Sequence, residues 1–299
     1  MKVKLQNFRH ELFKGCFNVG FIINKPFDKI SDLPFKSIHW LDLNGYDNGW
    51  FADPFILDYN SSVITVLVEE FEYSNEKGRL CKIIVSSKDY KLLKVVPLLE
   101  LETHLSYPSI YRFNDKIFIC PENSAAGYVR AYQLKDDSLL NPTLLIQDSL
   151  VDTQFVQIDN KFYAFGVKNY VGAMDETKTL NIYESSNFLG PYKHIQTIIN
   201  DKCEERGAGN FFNFEGKLYR PAQCCEGWYG KGIIFYEVTL RDERFSEKEI
   251  FRISGDYYKK WGLGMHQFHS YKDLTVVDGQ DFCHLFARIF KRFQLMSIK

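Results

Sequence analysis

The sequence predicts an all-β protein, a five-bladed β-propeller followed by a short C-terminal amphipathic helix, and two observations predict it. First, one hairpin phrase recurs five times. The copies are DPFILDYNSSVITVLVEE from Asp53, YPSIYRFNDKIFICPE from Tyr107, DTQFVQIDNKFYAFGV from Asp152, GNFFNFEGKLYRPAQ from Gly209 and HQFHSYKDLTVVDGQ from His266. Each alternates like a strand, breaks at a polar turn and resumes as a second strand, which is the pattern of a β-hairpin. Second, the starts lie about 45 to 60 residues apart, the spacing of propeller blades.

The elements follow in order. Residues 1–50 read as a lead-in that contains a strand-like NVGFII. The turns of the five hairpins fall at Tyr59-Asn60, Asn114-Asp115, Asp159-Asn160, Glu215-Gly216 and Lys272-Asp273. Between them lie β-rich pieces suited to outer strands: LCKIIVSS, YVRAYQL, TLNIYESS and IIFYEVTL. Three of these carry a central Tyr, a sign of repeated packing between blades. No low-complexity linker interrupts the run, so residues 1–283 form one domain. In the remaining 284–299, Phe286, Ile289, Phe290 and Phe293 fall at i, i+3, i+4 and i+7, with Arg288, Lys291 and Arg292 mostly elsewhere on the wheel. Such a helix either docks on the propeller or lies on a membrane surface.

Composition narrows the function. The 299 residues carry 37 Lys+Arg against 38 Asp+Glu, so the basic footprint of a nucleic-acid partner is missing. No stretch approaches the roughly 20 apolar residues that cross a bilayer. The N-terminus lacks the pattern of a secretory signal, and seven Cys, an odd number without metal-site spacing, suit a reducing compartment. A cytoplasmic protein is expected, at the inner face of the membrane if the helix makes peripheral contact there. No phosphate loop, nucleophile elbow or zinc motif occurs, so neither a cofactor nor a metal is expected.

Four phrases open near a polar or charged residue, Asp53, Asp152, Asn210 or His266, and first strands line the axis of a propeller. These residues are therefore expected to converge on one funnel. Asp53 precedes Pro54, which biases it toward extended backbone and suits a site carboxylate, although Asp-Pro also makes ordinary turns. Glu69 and Glu70 end the second strand of the first hairpin, and only one can face the site. Glu122 holds the matching place in the second hairpin, and a pair of acids there would raise one proton affinity. Asp152 mirrors Asp53. Catalytic roles thus fall to Asp53, Glu122, Asp152 and His266. Arg206 and Arg220 suit planar contact with carboxylate or phosphate, or an ion pair between blades. Gln223 and Tyr229, near Trp228, supply the polar and aromatic groups that sugars prefer. His266 and His269 are three apart on a strand, so they face opposite sides and do not chelate together. Asp278, in a turn-like Asp-Gly, would at most orient a histidine.

In order along the chain, WFADPF, VEEF, HLSYPSI, PEN, ERGAGN, YRPAQ then YG, and MHQFH with VVDG resemble one family. It is the N-terminal domain family of plant glucosamine inositolphosphorylceramide transferase and its bacterial polysaccharide-biosynthesis relatives. The resemblance runs from about Asn18 to Gly279. More distantly, the layout is similar to five-bladed propeller glycosidases of the arabinanase and β-xylosidase type. By that resemblance Asp53 matches the first-blade acid, a general base in the hydrolases, and Glu122 approximates a later-blade acid. The family's Arg-x-Ala-Gly is present as Arg206 to Gly209. The hydrolases usually carry an Asp where this chain has Tyr107-Pro108, so the resemblance implies an incomplete hydrolase set. Glu70, Tyr107 and His269 are expected as further substrate contacts of the funnel. Plant members continue into a separate transferase domain beyond the region of resemblance. The function expected is sugar transfer from a nucleotide-sugar or lipid-phosphate sugar to a glycan or glycolipid acceptor. A propeller glycoside hydrolase and a non-catalytic glycan-binding module are the alternatives.

Overall fold

The computed structural model describes residues 15–23, 37–168, 179–199, 204–255 and 259–283. The chain enters through β1 (Gly15–Ile23) and β2 (His39–Trp40). It then makes four sheets in succession. Blade 1 is β3 (Gly49–Tyr59), β4 (Val63–Glu72), β5 (Lys77–Ser86) and β6 (Leu92–Leu99). Blade 2 is β7 (Ser106–Phe113), β8 (Lys116–Glu122), β9 (Val129–Lys135) and β10 (Ser138–Ile146). Blade 3 is β11 (Leu150–Ile158), β12 (Lys161–Lys168), β13 (Thr179–Ser185) and β14 (Lys193–Ile199). Blade 4 is β15 (Phe212–Phe214), β16 (Lys217–Cys224), β17 (Gly232–Arg241) and β18 (Arg244–Ser254). The last hairpin, β19 (Phe268–Tyr271) and β20 (Leu274–Phe282), completes blade 5 with the two N-terminal strands, in the order β19-β20-β1-β2.

The five-bladed expectation holds. The hairpin turns form where their residues tolerate left-handed backbone: Asn114 and Asp115 both have positive φ, as do Glu215 and Gly216, the requirement of a type I′ turn. The first turn is longer, closed by the Asn60 side chain, which accepts from the amides of Ser62 and Val63.

The lead-in corrects one expectation. Its strand is the third strand of blade 5, paired with β20 from Gly15↔Phe282 to Ile23↔Leu274, so both ends of the described chain close the ring. The expected helix at 284–299, and with it the membrane contact, lies outside the described residues.

Both faces of each sheet pack on neighbours, so the core is divided among the blade interfaces. Val19, Phe21, Phe51 and Val66 lie between blades 5 and 1. Phe55, Leu67, Tyr107 and Ile119 join blades 1 and 2, and Phe118, Phe155 and Tyr183 join blades 2 and 3. Phe165, Ile182 and Phe245 join blades 3 and 4; Ile22, Phe235 and Phe268 join blades 4 and 5. The Tyr of the three outer pieces, Tyr132, Tyr183 and Tyr236, are all buried; Tyr183 packs between blades 2 and 3, while Tyr236 packs within blade 4.

Candidate active site

The first strands of blades 1, 2 and 3 each break register at the same place: between Ala52 and Phe55, Ser106 and Ser109, and Val151 and Gln154. At these bulges Asp53, Tyr107 and Asp152 take φ of 50°, 47° and 46°. Extended backbone, expected at Asp53 from the following proline, is therefore not what forms. Aspartate enters the left-handed region readily, whereas for a bulky residue such as tyrosine it is an outlier costing on the order of 1–3 kcal/mol. Bulges re-aim backbone and side chain together. Here the first two turn the freed N–H toward the preceding blade. Asp53 N donates to Asp278 Oδ2 at 3.3 Å, and Tyr107 N donates to Asp53 Oδ2 at 2.9 Å.

Tyr107 then reaches across the axis. Its hydroxyl donates to Gly209 O at 3.0 Å and accepts from Gly209 N at 2.8 Å. This position must be glycine, because a Cβ there would stand 1.7 Å from Phe268 O. Tyr107 is a buried strut and belongs to the frame of the funnel. Asn210 serves the same frame, bonding Ile110 O and the Tyr111 hydroxyl.

Above the strut the charged groups converge. His266 Nδ1 lies 2.5 Å from Asp278 Oδ2, an ion contact without hydrogen-bond alignment, and 3.6 Å from Asp53 Oδ1. Asp278 Oδ1 accepts from the amides of His266 and Gln267 at 2.9 and 3.0 Å. The imidazole stacks on Phe17 of β1 at 4.6 Å and meets the Tyr229 ring edge-on at 5.3 Å. Burial alone would lower its proton affinity, but Asp278, then Asp53 and Asp152, outweigh burial and lift its pKa to about 9. Asp53 is raised well above the usual carboxylate range, chiefly by burial and further by Glu69, Asp152 and Asp278, with His266 opposing.

Asp152 Oδ2 accepts from Arg206 Nε at 2.8 Å and Gln223 Nε2 at 2.9 Å. Those bonds make Asp152 the holder of Arg206. Gln223 also donates to Gly207 O at 2.8 Å. The Arg206 guanidinium lies 5.0 Å over the Tyr229 ring, which remains 45% exposed. Glu122 accepts from the Ser106 hydroxyl at 3.2 Å and the Ser124 amide at 2.9 Å. Burial raises its proton affinity, Asp152 adds to that, and the Ser124 bonds and Arg206 oppose it. Asp53, Glu122, Asp152, Arg206, Gln223, Tyr229 and His266 thus belong to one electrostatically connected cluster.

Three more expected site residues, besides Tyr107, lie elsewhere. Glu70 faces away from the funnel, bonded to the Tyr46 hydroxyl, Arg79 Nε at 2.8 Å and Cys81. Its neighbour Glu69 faces the funnel instead, because adjacent strand residues point to opposite sides. Arg220 is wholly buried, paired through Nε and Nη2 with Glu247 at 2.5 and 2.8 Å and bonded to Gln154 and the Glu205 carbonyl. It therefore ties blades together and cannot reach a donor. His269 Nδ1 accepts from the Ile56 amide at 3.1 Å, and burial, then Arg112, drops its pKa to about 3; it is a neutral link between blades 5 and 1. Asp278, expected at most to orient a histidine, stands against His266; His104, within the phrase HLSYPSI, is not singled out by the sequence.

Asp53, His266 and Asp278 bring ligand atoms within 4.8 Å of one another, as do Glu204, Cys224 and Glu226 on blade 4. In the first trio the imidazole is basic enough to carry a proton and would have to lose it to a cation. In the second, Glu204 is already engaged by Arg252 at 3.2 Å and the Tyr236 hydroxyl at 3.2 Å.

A stability prediction follows from His266. Its folded-state pKa of about 9 exceeds the ordinary 6.5, so the stabilisation is complete below about 6.5 and is lost as pH rises through about 9. Calorimetry from pH 6 to 10 should show the melting temperature falling across that window. In Asp278→Asn the fall should be smaller and end at lower pH, because the charge that raises the imidazole is gone. A melting temperature that is flat through pH 9 would refute the ion contact.

A sequence profile of the family described as glucosamine inositolphosphorylceramide transferase 1, N-terminal, matches residues 37–279. The glucosamine inositolphosphorylceramide transferase 1 of Oryza sativa subsp. japonica is 28% identical over 215 residues, covering 69% of this chain and 28% of its own length. That of Arabidopsis thaliana is 29% identical over 154 residues, covering 49% of this chain and 20% of its own. The chain thus spans less than a third of the length of these relatives. Among solved structures, the RS223 β-xylosidase aligns with a TM-score of 0.53 at 12% identity, over 72% of this chain and 78% of that one. A β-xylosidase/α-arabinofuranosidase from a compost microbial metagenome aligns at 0.52 and 12%, with the same coverage of 72% and 78%. These two likenesses concern the fold.

Proposed function

The chain belongs to the family of the N-terminal region of glucosamine inositolphosphorylceramide transferase 1, and on that premise we propose that its funnel transfers a glycosyl group from a phosphorylated donor to a hydroxyl of a glycan or glycolipid. The observation that carries this reading is Asp53: a buried carboxyl with raised proton affinity, fixed by the Tyr107 amide and set beside His266. Such a group takes a proton well once it is ionised. The acceptor oxygen would bond to the anomeric carbon while its proton passes to Asp53. The bond to the leaving group would break with its electron pair remaining on the phosphate. Arg206, held by Asp152 through Nε, has terminal amino groups that donate to no described residue and would offset that charge.

The hydrolase reading draws on Glu122, whose raised proton affinity suits protonation of a neutral sugar leaving group. One assay separates the readings. Purified protein is offered nucleotide-sugars or lipid-phosphate sugars together with glycan and glycolipid acceptors, and products are followed by mass spectrometry. Acceptors extended by one sugar are expected. Efficient release of free sugar from neutral oligosaccharides would establish a hydrolase instead. Absence of turnover on every donor, with glycan binding indifferent to Asp53→Asn, would leave a binding module.

A further inference from the structure

Beside Asp53 stands a second carboxyl whose surroundings are built around one orientation. Glu69 lies opposite Ala52 in the β3–β4 ladder, which sets it next to the Asp53 bulge, and it is buried at 6% exposure. His104, in the connection between blades 1 and 2, places Nε2 3.2 Å from Glu69 Oε1. The other ring nitrogen, Nδ1, accepts from the Gly78 amide at 3.0 Å. A nitrogen that accepts carries no proton, so the neutral ring must bear its proton on Nε2 and donate it to Glu69. The seat for this ring depends on Gly78. A Cβ there would lie 2.6 Å from Glu69 Oε1, 2.6 Å from Leu105 O and 2.7 Å from His104 Cε1.

With both of its nitrogens engaged, His104 has none left for a substrate. Glu69 has: Oε1 is engaged by His104, and Oε2 accepts from no described residue. The charges of Glu69, Glu122 and Asp53 all act on His104, so the pair stands within the funnel cluster, and the His104 side chain is 42% exposed.

We propose that Glu69 is the sugar-gripping carboxylate of the funnel, its Oε2 accepting hydrogen bonds from ring hydroxyls of a pyranose, and that His104 is the positioning residue that aims it. The inference rests on the reading of the funnel as a sugar site and names the group that would recognise the ring there. A carboxylate with one oxygen fixed and the other open suits a polyhydroxylated ring: each bond from a hydroxyl is charge-assisted, and the fixed rotamer removes the entropic cost of aiming.

The test is sugar binding, read by calorimetry with no turnover needed, using glucose, glucosamine and the monodeoxyglucoses as probes. Wild type should bind a ring sugar, and Glu69→Gln, which keeps the shape, should bind it about 10- to 100-fold more weakly. One monodeoxy analogue should lose a similar factor on wild type and almost nothing further on Glu69→Gln, because the lost hydroxyl and the lost charge are one interaction. His104→Gln should weaken binding by a smaller factor and reduce the same hydroxyl's contribution, a coupling that a merely structural histidine would not show. If wild type binds a sugar and Glu69→Gln binds it equally, or if no hydroxyl couples to Glu69, the inference fails while the funnel reading stands. If wild type binds none of the probes, both fail. The melting temperature of each variant, compared with wild type, separates loss of a contact from loss of the fold.

Discussion

Asp53→Asn is expected to reduce glycosyl transfer by about 10²- to 10⁴-fold, the usual contribution of a positioned base, with the propeller intact. The substitution preserves shape, and the asparagine carbonyl can still accept from the Tyr107 amide that Asp53 now receives at 2.9 Å. What disappears is the ability to take a proton, together with the attraction for His266 at 3.6 Å. Because that attraction helps to raise the imidazole, the variant should also show a lowered His266 pKa by NMR. The measurement is initial rate at saturating donor and acceptor, with circular dichroism as the control for folding. Activity within tenfold of wild type would exclude Asp53 as the base.

Arg220→Ala is expected to lower stability by about 3–5 kcal/mol, the cost of stranding a buried partner charge. The guanidinium is fully buried and is shared among Glu247, Gln154 and the backbone of Glu205, with the Glu205 carboxylate at 3.6 Å. Removing it takes the guanidinium away from Glu247 and from Glu205, itself 2% exposed, and opens a cavity the size of a long side chain. Arg220→Lys should recover little, because a single ammonium cannot reproduce the paired contact that Nε and Nη2 make with Glu247 at 2.5 and 2.8 Å. Chemical denaturation, read as a change in midpoint at constant slope, measures the loss. A decrease below about 1 kcal/mol would mean that the network relaxes around the gap. The same variant tests the division of labour between the two arginines: substrate affinity should change through Arg206, and stability through Arg220.

What the sequence determined by itself was whatever depends on neighbours along the chain. A two-residue turn such as Asn114-Asp115 is decided by which residues accept left-handed backbone, and the strands beside it by alternation. Five such hairpins at blade spacing therefore stated the architecture, and their first residues pointed to the axis. Asp53, Asp152 and His266 stood out for that reason, Glu122 as the end of a hairpin's second strand, and Arg206 as a guanidinium beside the fourth phrase. Tertiary structure decided everything that depends on a partner far away in the chain. The strand Gly15–Ile23 looked like a lead-in because nothing local says that it pairs with β20, yet it delivers Phe17 to the face of His266. Glu69 and Glu70 are equivalent in sequence. Their fates separate because the ladder turns one toward Asp53 and His104 and the other toward Arg79 and Tyr46. Two arginines 14 positions apart looked alike, and only the placement of Glu247 and Glu205 around one, and of an exposed Tyr229 beside the other, divided them. The physical reason is common to all three cases. Turn and strand preferences are short-range steric effects, whereas the direction and charge state of a polar side chain follow from desolvation and from the nearest opposite charge, which only the closed ring brings into place.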